Sequence, residues 1–105
     1  MKEPGYRTIC SVRFQDWGVF SGCKIFVGEK SIRITGTFSD EIPFSKIEKI
    51  EDIKIGVIAK YCAFTVEYVD RRGKRDKMRV DSWHKPELLI ALHERGFEIS
   101  GVEIF

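Results

Sequence analysis

Residues 85–97 read KPELLIALHERGF, and this stretch decides the fold because it is the clearest helix signal in a chain that otherwise alternates. Pro86 stands at the first helical position, where its missing N–H costs nothing, and Gly96 is the residue type that favours the left-handed position after a C-terminal cap. Leu88, Leu89 and Leu92 make an apolar stripe between those two signals, and Phe97 falls where it can pack back on Leu92, as in a Schellman motif. At about 1.5 Å per residue such a helix is about 15 Å long, suited to plugging one open end of a small bent sheet.

Upstream of that helix the apolar period is two. Cys10, Val12 and Phe14 alternate with Ile9, Ser11 and Arg13, which reads as a strand, and Asp16, Trp17 and Gly18 supply a turn. Val19–Val27 and Ser31–Thr35 then read as a hairpin joined through Gly28, Glu29 and Lys30, with Ile32 and Ile34 inward and Ser31, Arg33 and Thr35 outward. A second hairpin places Phe64, Val66 and Tyr68 on one face and Thr65 and Glu67 on the other. It turns at Gly73 and returns through Met78 and Val80.

Residues 40–58 carry two conflicting patterns. Ile47, Ile50 and Ile53 recur every three residues behind a Ser45/Glu48 capping box, which favours a helix over 46–54. Ile53, Ile55 and Val57 alternate, and Gly56 sits where that helix would have to continue, which favours a strand. The reading adopted is one helical turn near Ser45–Glu48 followed by a strand to about Ile58. After the last helix, Phe97, Ile99, Val102 and Ile104 spell a further short strand.

At 105 residues, 43% apolar and 32% charged, the chain spans a single domain able to bury one core. A net charge of +2 is too small for its average field to imply nucleic acid or anionic lipid. No apolar run approaches the roughly 20 residues of a membrane span, and the first residues lack a secretory apolar stretch, so a cytoplasmic location is expected. Asn is absent, Gln occurs once, at Gln15, and Lys, Glu and Ile are plentiful, the compositional pattern of a hyperthermophile's protein. Three cysteines, Cys10, Cys23 and Cys62, with no C-x-x-C spacing argue against a zinc knuckle and read as buried thiols. A Cys10–Cys23 bridge stays open, since thermophile interiors do hold disulfides.

The order of elements, with the runs EIPFSKIEKIEDI and KPELLIALHERGF, resembles the bacterial and archaeal pleckstrin-homology-like (GRAM-like) domains. In that family an I-P-x-x-x-I segment follows the early strands and a P-E-x-L-x-x-L helix closes the barrel. Ile42, Pro43 and Ile47, then Pro86, Glu87, Leu89 and Leu92, hold those positions over a likeness running from about Thr8 to Phe97. The resemblance implies a mostly β, α+β fold: a bent antiparallel sheet or partly open barrel capped by one C-terminal helix. It also implies a binding module without intrinsic catalysis, whose partner is a protein or a lipid head group; no cofactor is expected, since no Gly-rich phosphate loop follows a strand and no Cys or His stands in ligand spacing. Phosphoinositide-binding members carry basic residues around the first hairpin loop, whereas this chain has Gln15, Asp16, Trp17 and Gly18 there.

The strongest charge feature is the turn of the second hairpin. Between Asp70 and Arg79 six cations face two carboxylates, so this turn carries +4 and the rest of the chain is net −2. Arg71, Arg72, Lys74, Arg75 and Lys77 are the candidate anion-binding residues, for acidic lipid head groups or nucleic acid phosphates. A solvated turn is the plainer reading, and no aromatic interleaves them for base stacking. His84 and His93 stand in no metal-ligand spacing, and His93 suits the dipole at a helix C-terminus. Trp17 and Trp83 are expected in the core, with an exposed anchor role as the alternative. The apolar tail must be covered, either by an edge of its own sheet or by a second chain in a homodimer. The function expected is therefore protein–protein interaction, with anion binding by the hairpin as the alternative.

Overall fold

A computed structural model describes residues 4–15 and 18–102. Among them β1 (Tyr6–Phe14), β2 (Gly18–Val27), β3 (Ser31–Gly36), β4 (Asp40–Pro43), β5 (Ile47–Ile53), β6 (Ala63–Val69), β7 (Arg75–Asp81) and β8 (Ile99–Val102) form one sheet. Two helices, α1 (Ala59–Cys62) and α2 (Lys85–Glu94), accompany it. The strand order is β4-β3-β2-β1-β7-β6-β5-β8, antiparallel throughout except for β5 with β8. The fold is thus mostly β with a C-terminal helix, and its sheet does not close.

The sheet is nevertheless strongly curled. β4 and β5 stand first and seventh in the order, which in a flat sheet would separate them by about 29 Å at about 4.8 Å per strand. Only a 3₁₀ turn, Phe44–Lys46, connects them, and a step from Pro43 to Ile47 reaches at most about 14 Å. Arg71, in the β6–β7 turn, also comes within 3.7 Å of Asp40 on β4. A bulge between Cys10 and Val12 helps the bend: β1 pairs with β2 over its length and, from Ser11 onward, with β7 as well.

One core fills the concave side. Cys10, Val12 and Phe14 meet Cys23, Ile25 and Val27, Ile32 and Ile34, then Phe64, Val66, Met78 and Val80, as the period-two pattern requires. Leu88 and Leu92 of α2 are fully buried in the same cluster, with Leu89 partly so. Gly96, at φ +97°, ends the helix: its N–H donates to the His93 carbonyl and the Phe97 N–H to that of Leu92, the two bonds of a Schellman motif.

Several expectations need correction. The strand expected to reach Ile58 stops at Ile53, because Gly56 takes φ +87° and turns the chain into the unforeseen helical turn α1. The helical turn expected near Ser45–Glu48 is the earlier Phe44–Lys46, and α2 begins at Lys85 rather than Pro86. Ser31, assigned outward, is buried, its hydroxyl donating to Glu41 Oε2 at 2.7 Å, and Thr65 is buried beside its inward neighbours. β8 runs parallel to β5, since α2 carries the chain back to the free edge of β5 in that strand's own direction. Ile99 packs against the core there, and the outer edge of β8 has no partner among the described residues. Trp17 and Ile104 lie outside the described residues.

Lys85 is the least expected member of the interior. Only 5% exposed, its ammonium donates to the carbonyls of Ile53 (3.0 Å), Lys60 (2.8 Å) and Ala63 (3.1 Å). Those bonds use its three hydrogens, and Asp52 Oδ1 meets it at 2.5 Å as a counter-charge. One side chain thereby fastens the end of β5, α1 and the start of β6 to the first residue of α2.

Candidate functional site

Two surfaces stand out, one foreseen and one not. The foreseen one is the basic hairpin, whose turn is built by Asp70: its carboxylate accepts the N–H groups of Arg72 (2.8 Å) and Lys74 (2.9 Å), and Gly73 completes the bend at φ +80°. Arg71, Arg72, Lys74 and Arg75 line a shallow pocket of about 520 Å³. That pocket is not purely cationic. Asp40, Asp70 and Asp76 share it with Tyr68, whose hydroxyl is raised above its ordinary pKa first by burial and then by those three carboxylates. Arg71 pairs with Asp40 and Arg75 with Glu48 at 3.1 Å, while Lys77 lies on β7 outside the pocket lining. The hairpin thus brings four of the five candidate cations together, and surrounds them with acids drawn from β4, from β5 and from the hairpin itself.

The second surface is a groove of about 410 Å³ between the middle of β1 and the corner joining β7 to α2. Cys10 and Cys23 line it, with Lys24 on one flank and Asp81 on the other. Over it stand two large apolar side chains facing water, Ile9 at 66% exposure and Trp83 at 73%. Trp83, expected in the core, is exposed because it follows the last residue pair of β7 and so leaves the sheet before the helix begins.

Hydrogen bonds hold the residues on either side of Trp83. On one side Ser82 donates its hydroxyl to the Ile9 carbonyl (2.8 Å) and its N–H to the Cys62 carbonyl (2.8 Å). On the other, the His84 N–H donates to the Ser82 hydroxyl at 3.1 Å and the Leu88 N–H to the His84 carbonyl at 3.0 Å. At the rim Arg79 holds Asp81 through two bonds of 3.0 and 3.2 Å and His84 Nδ1 lies 3.7 Å from Glu87, while Lys24 adds a cation on the opposite flank.

The groove floor is thiol-rich but not primed for nucleophilic work. Burial pushes the Cys10 thiol up to about 12, with Cys23 and Asp81 adding to the shift, so little thiolate exists near neutrality. Cys62, on α1, is raised likewise by burial and by Asp81. Among the described residues no three His, Cys, Asp or Glu side chains cluster as metal ligands, and no helix is long and apolar enough to cross a membrane. His93 keeps the structural place its position suggests, its Nδ1 at 3.2 Å from the Phe97 carbonyl.

Neither a scan of protein-family models nor a comparison with curated proteins returns a match for this chain.

Proposed function

We propose that the chain is a non-catalytic binding module of pleckstrin-homology-like type, whose ligand is an apolar segment of a partner protein seated between Ile9 and Trp83. Seven antiparallel strands in the order β4-β3-β2-β1-β7-β6-β5, curled and followed by one helix, support the family reading. The observation that carries the function is Trp83 itself. A large aromatic exposed to water between two hydrogen-bonded neighbours, Ser82 and His84, and next to an exposed Ile9, is the composition of an interface anchor and not of a solvated surface. The exposed Ile9 and Trp83 suit the groove to apolar side chains, and Asp81 beside them, held by Arg79, would repel a phosphate.

The alternative, anion contact through Arg71, Arg72, Lys74, Arg75 and Lys77, rests on the exposed cations of the hairpin. Three carboxylates in the same pocket oppose it, since each repels the charge that the arginines would attract.

The test is a selection of binders from random peptides displayed on phage, on the immobilised chain, with the winners re-measured at low and high salt. The proposal expects peptides rich in apolar and aromatic residues that keep their affinity at high salt and lose at least tenfold on Trp83→Ser. Winners that are acidic, insensitive to Trp83→Ser and released by salt transfer the function to the hairpin. Sedimentation with vesicles of phosphatidylserine and phosphatidylcholine gives the lipid arm, in which the proposal expects no binding.

A further inference from the structure

Cys10 and Cys23 are direct partners in the β1–β2 ladder, and both side chains point to the core face, where they are 8% and 1% exposed. Opposed residues of an antiparallel pair have Cα atoms about 4.5–5.5 Å apart, inside the 4.4–6.8 Å window of a disulfide. The two thiols are close enough for charge on one to resist charge on the other. Both also line the groove beneath Trp83, which gives a small reagent a path to them. Cys62, the third free thiol, sits on α1 with its Sγ directed at the Ile58 carbonyl (3.5 Å) and Asp81 (3.8 Å).

We propose that Cys10 and Cys23 are a reversible dithiol–disulfide site, oxidised in the folded protein by exchange with a low-molecular-weight disulfide. In the first step a Cys10 thiolate, the more exposed of the pair, attacks one sulfur of the reagent RSSR. A Cys10–S–S–R bond forms and one RS⁻ leaves. The Cys23 thiolate then attacks the Cys10 sulfur, forming the Cys10–Cys23 bond and expelling the second RS⁻. The two protons lost by the cysteines end on the two RS⁻ groups, so two protein thiols are oxidised by two electrons and RSSR is reduced to two RSH. The burial that keeps Cys10 protonated makes the first step slow, and the proximity of Cys23 makes the second fast.

A ligand seated in the groove would close the reagent's path to the thiols, but the bridge itself requires no such ligand. The bridge would close a loop of about 14 residues around the β1–β2 turn and restrict the unfolded chain.

The full chain incubated with 2-hydroxyethyl disulfide is followed by intact mass, non-reducing peptide mapping and thermal unfolding. The proposal expects loss of two hydrogens without retained reagent, linked peptides containing Cys10 and Cys23, and a Tm raised by roughly 10 °C that falls back on adding dithiothreitol. Cys62→Ser should behave as the parent, and Cys23→Ala should stop at the mixed disulfide on Cys10. A persistent mixed disulfide on the unsubstituted chain, a bridge that includes Cys62, or a folded chain that stays reduced while the unfolded one oxidises would each overturn the proposal.

Discussion

Replacing Lys85 by Met keeps an unbranched side chain that lacks the terminal ammonium, which isolates what that group does. Three carbonyls, of Ile53, Lys60 and Ala63, lose their shared donor, and Asp52 loses its counter-charge. Breaking a buried pair from one side costs about 3–5 kcal/mol, and each orphaned acceptor alone is worth about 1–3 kcal/mol where water cannot reach it. Asp52 is one-fifth exposed and recovers part of its hydration, so about 4 kcal/mol is the expected loss. Against a total of about 5–15 kcal/mol for a domain of this size, that is a large fraction. With a urea slope of about 2 kcal/mol per molar, the midpoint should fall by roughly 2 M. The double variant Lys85→Met with Asp52→Leu should recover part of the loss, because it removes the stranded carboxylate. A midpoint shift below roughly 0.5 M for Lys85→Met, or no recovery in the double variant, would show that the ammonium does not fasten β5, α1 and β6.

Other perturbations separate surface from interior. Changing Arg71, Arg72, Lys74 and Arg75 together to Ser removes two exposed ion pairs, each worth at most about 1 kcal/mol, so thermal unfolding should shift by only a few degrees. Glu41 is held below the ordinary glutamate pKa, first by the Ser31 hydroxyl and then by Arg33. An NMR titration should therefore find it low, and Ser31→Ala should move it back up. The sign follows: a carboxyl with a depressed folded pKa stabilises the fold above its unfolded pKa, and that contribution is lost as pH falls through the folded value. Ending the chain at Glu98 deletes β8 and its pairing with Ile50–Ile53, so Tm should fall and amide exchange along β5 should quicken. Unchanged exchange there would mean that β8 contributes nothing to the sheet.

The inward residues of β1, β3, β6 and β7 and the end of α2 were readable because each is set locally. Alternation assigns Val12, Phe14, Ile32, Ile34 and Met78 to the core face, and a lone glycine after Leu92, His93 and Arg95 signals the cap at Gly96. What escaped depends on partners distant in sequence. Lys85 beside a proline reads as a solvated helix start, and it is interior only because Asp52 and three carbonyl ends converge on it from elsewhere. Ser31 follows the period of an outward residue but finds Glu41 across the ladder. The strand and helix patterns of residues 47–57 conflict because β5 serves two neighbours, β6 and β8, while Gly56 breaks both patterns at once. Of the two candidate surfaces, the cationic hairpin was legible from charge alone, but not the acids that fold against it from other strands. The groove was not legible, since Ile9, Cys23 and Trp83 come from three segments; the one available signal was a tryptophan placed between a strand and a helix.

Where a ligand sits decides between the groove and the hairpin. An amide chemical-shift map of the ¹⁵N-labelled chain, titrated with a peptide selected on it, measures this directly. The groove reading predicts perturbations centred on Ile9, Ser11, Lys24 and His84 and on the Trp83 indole N–H, with Arg72, Gly73 and Lys74 unmoved. Shifts centred on residues 70–77, with the Trp83 indole unchanged, would contradict it.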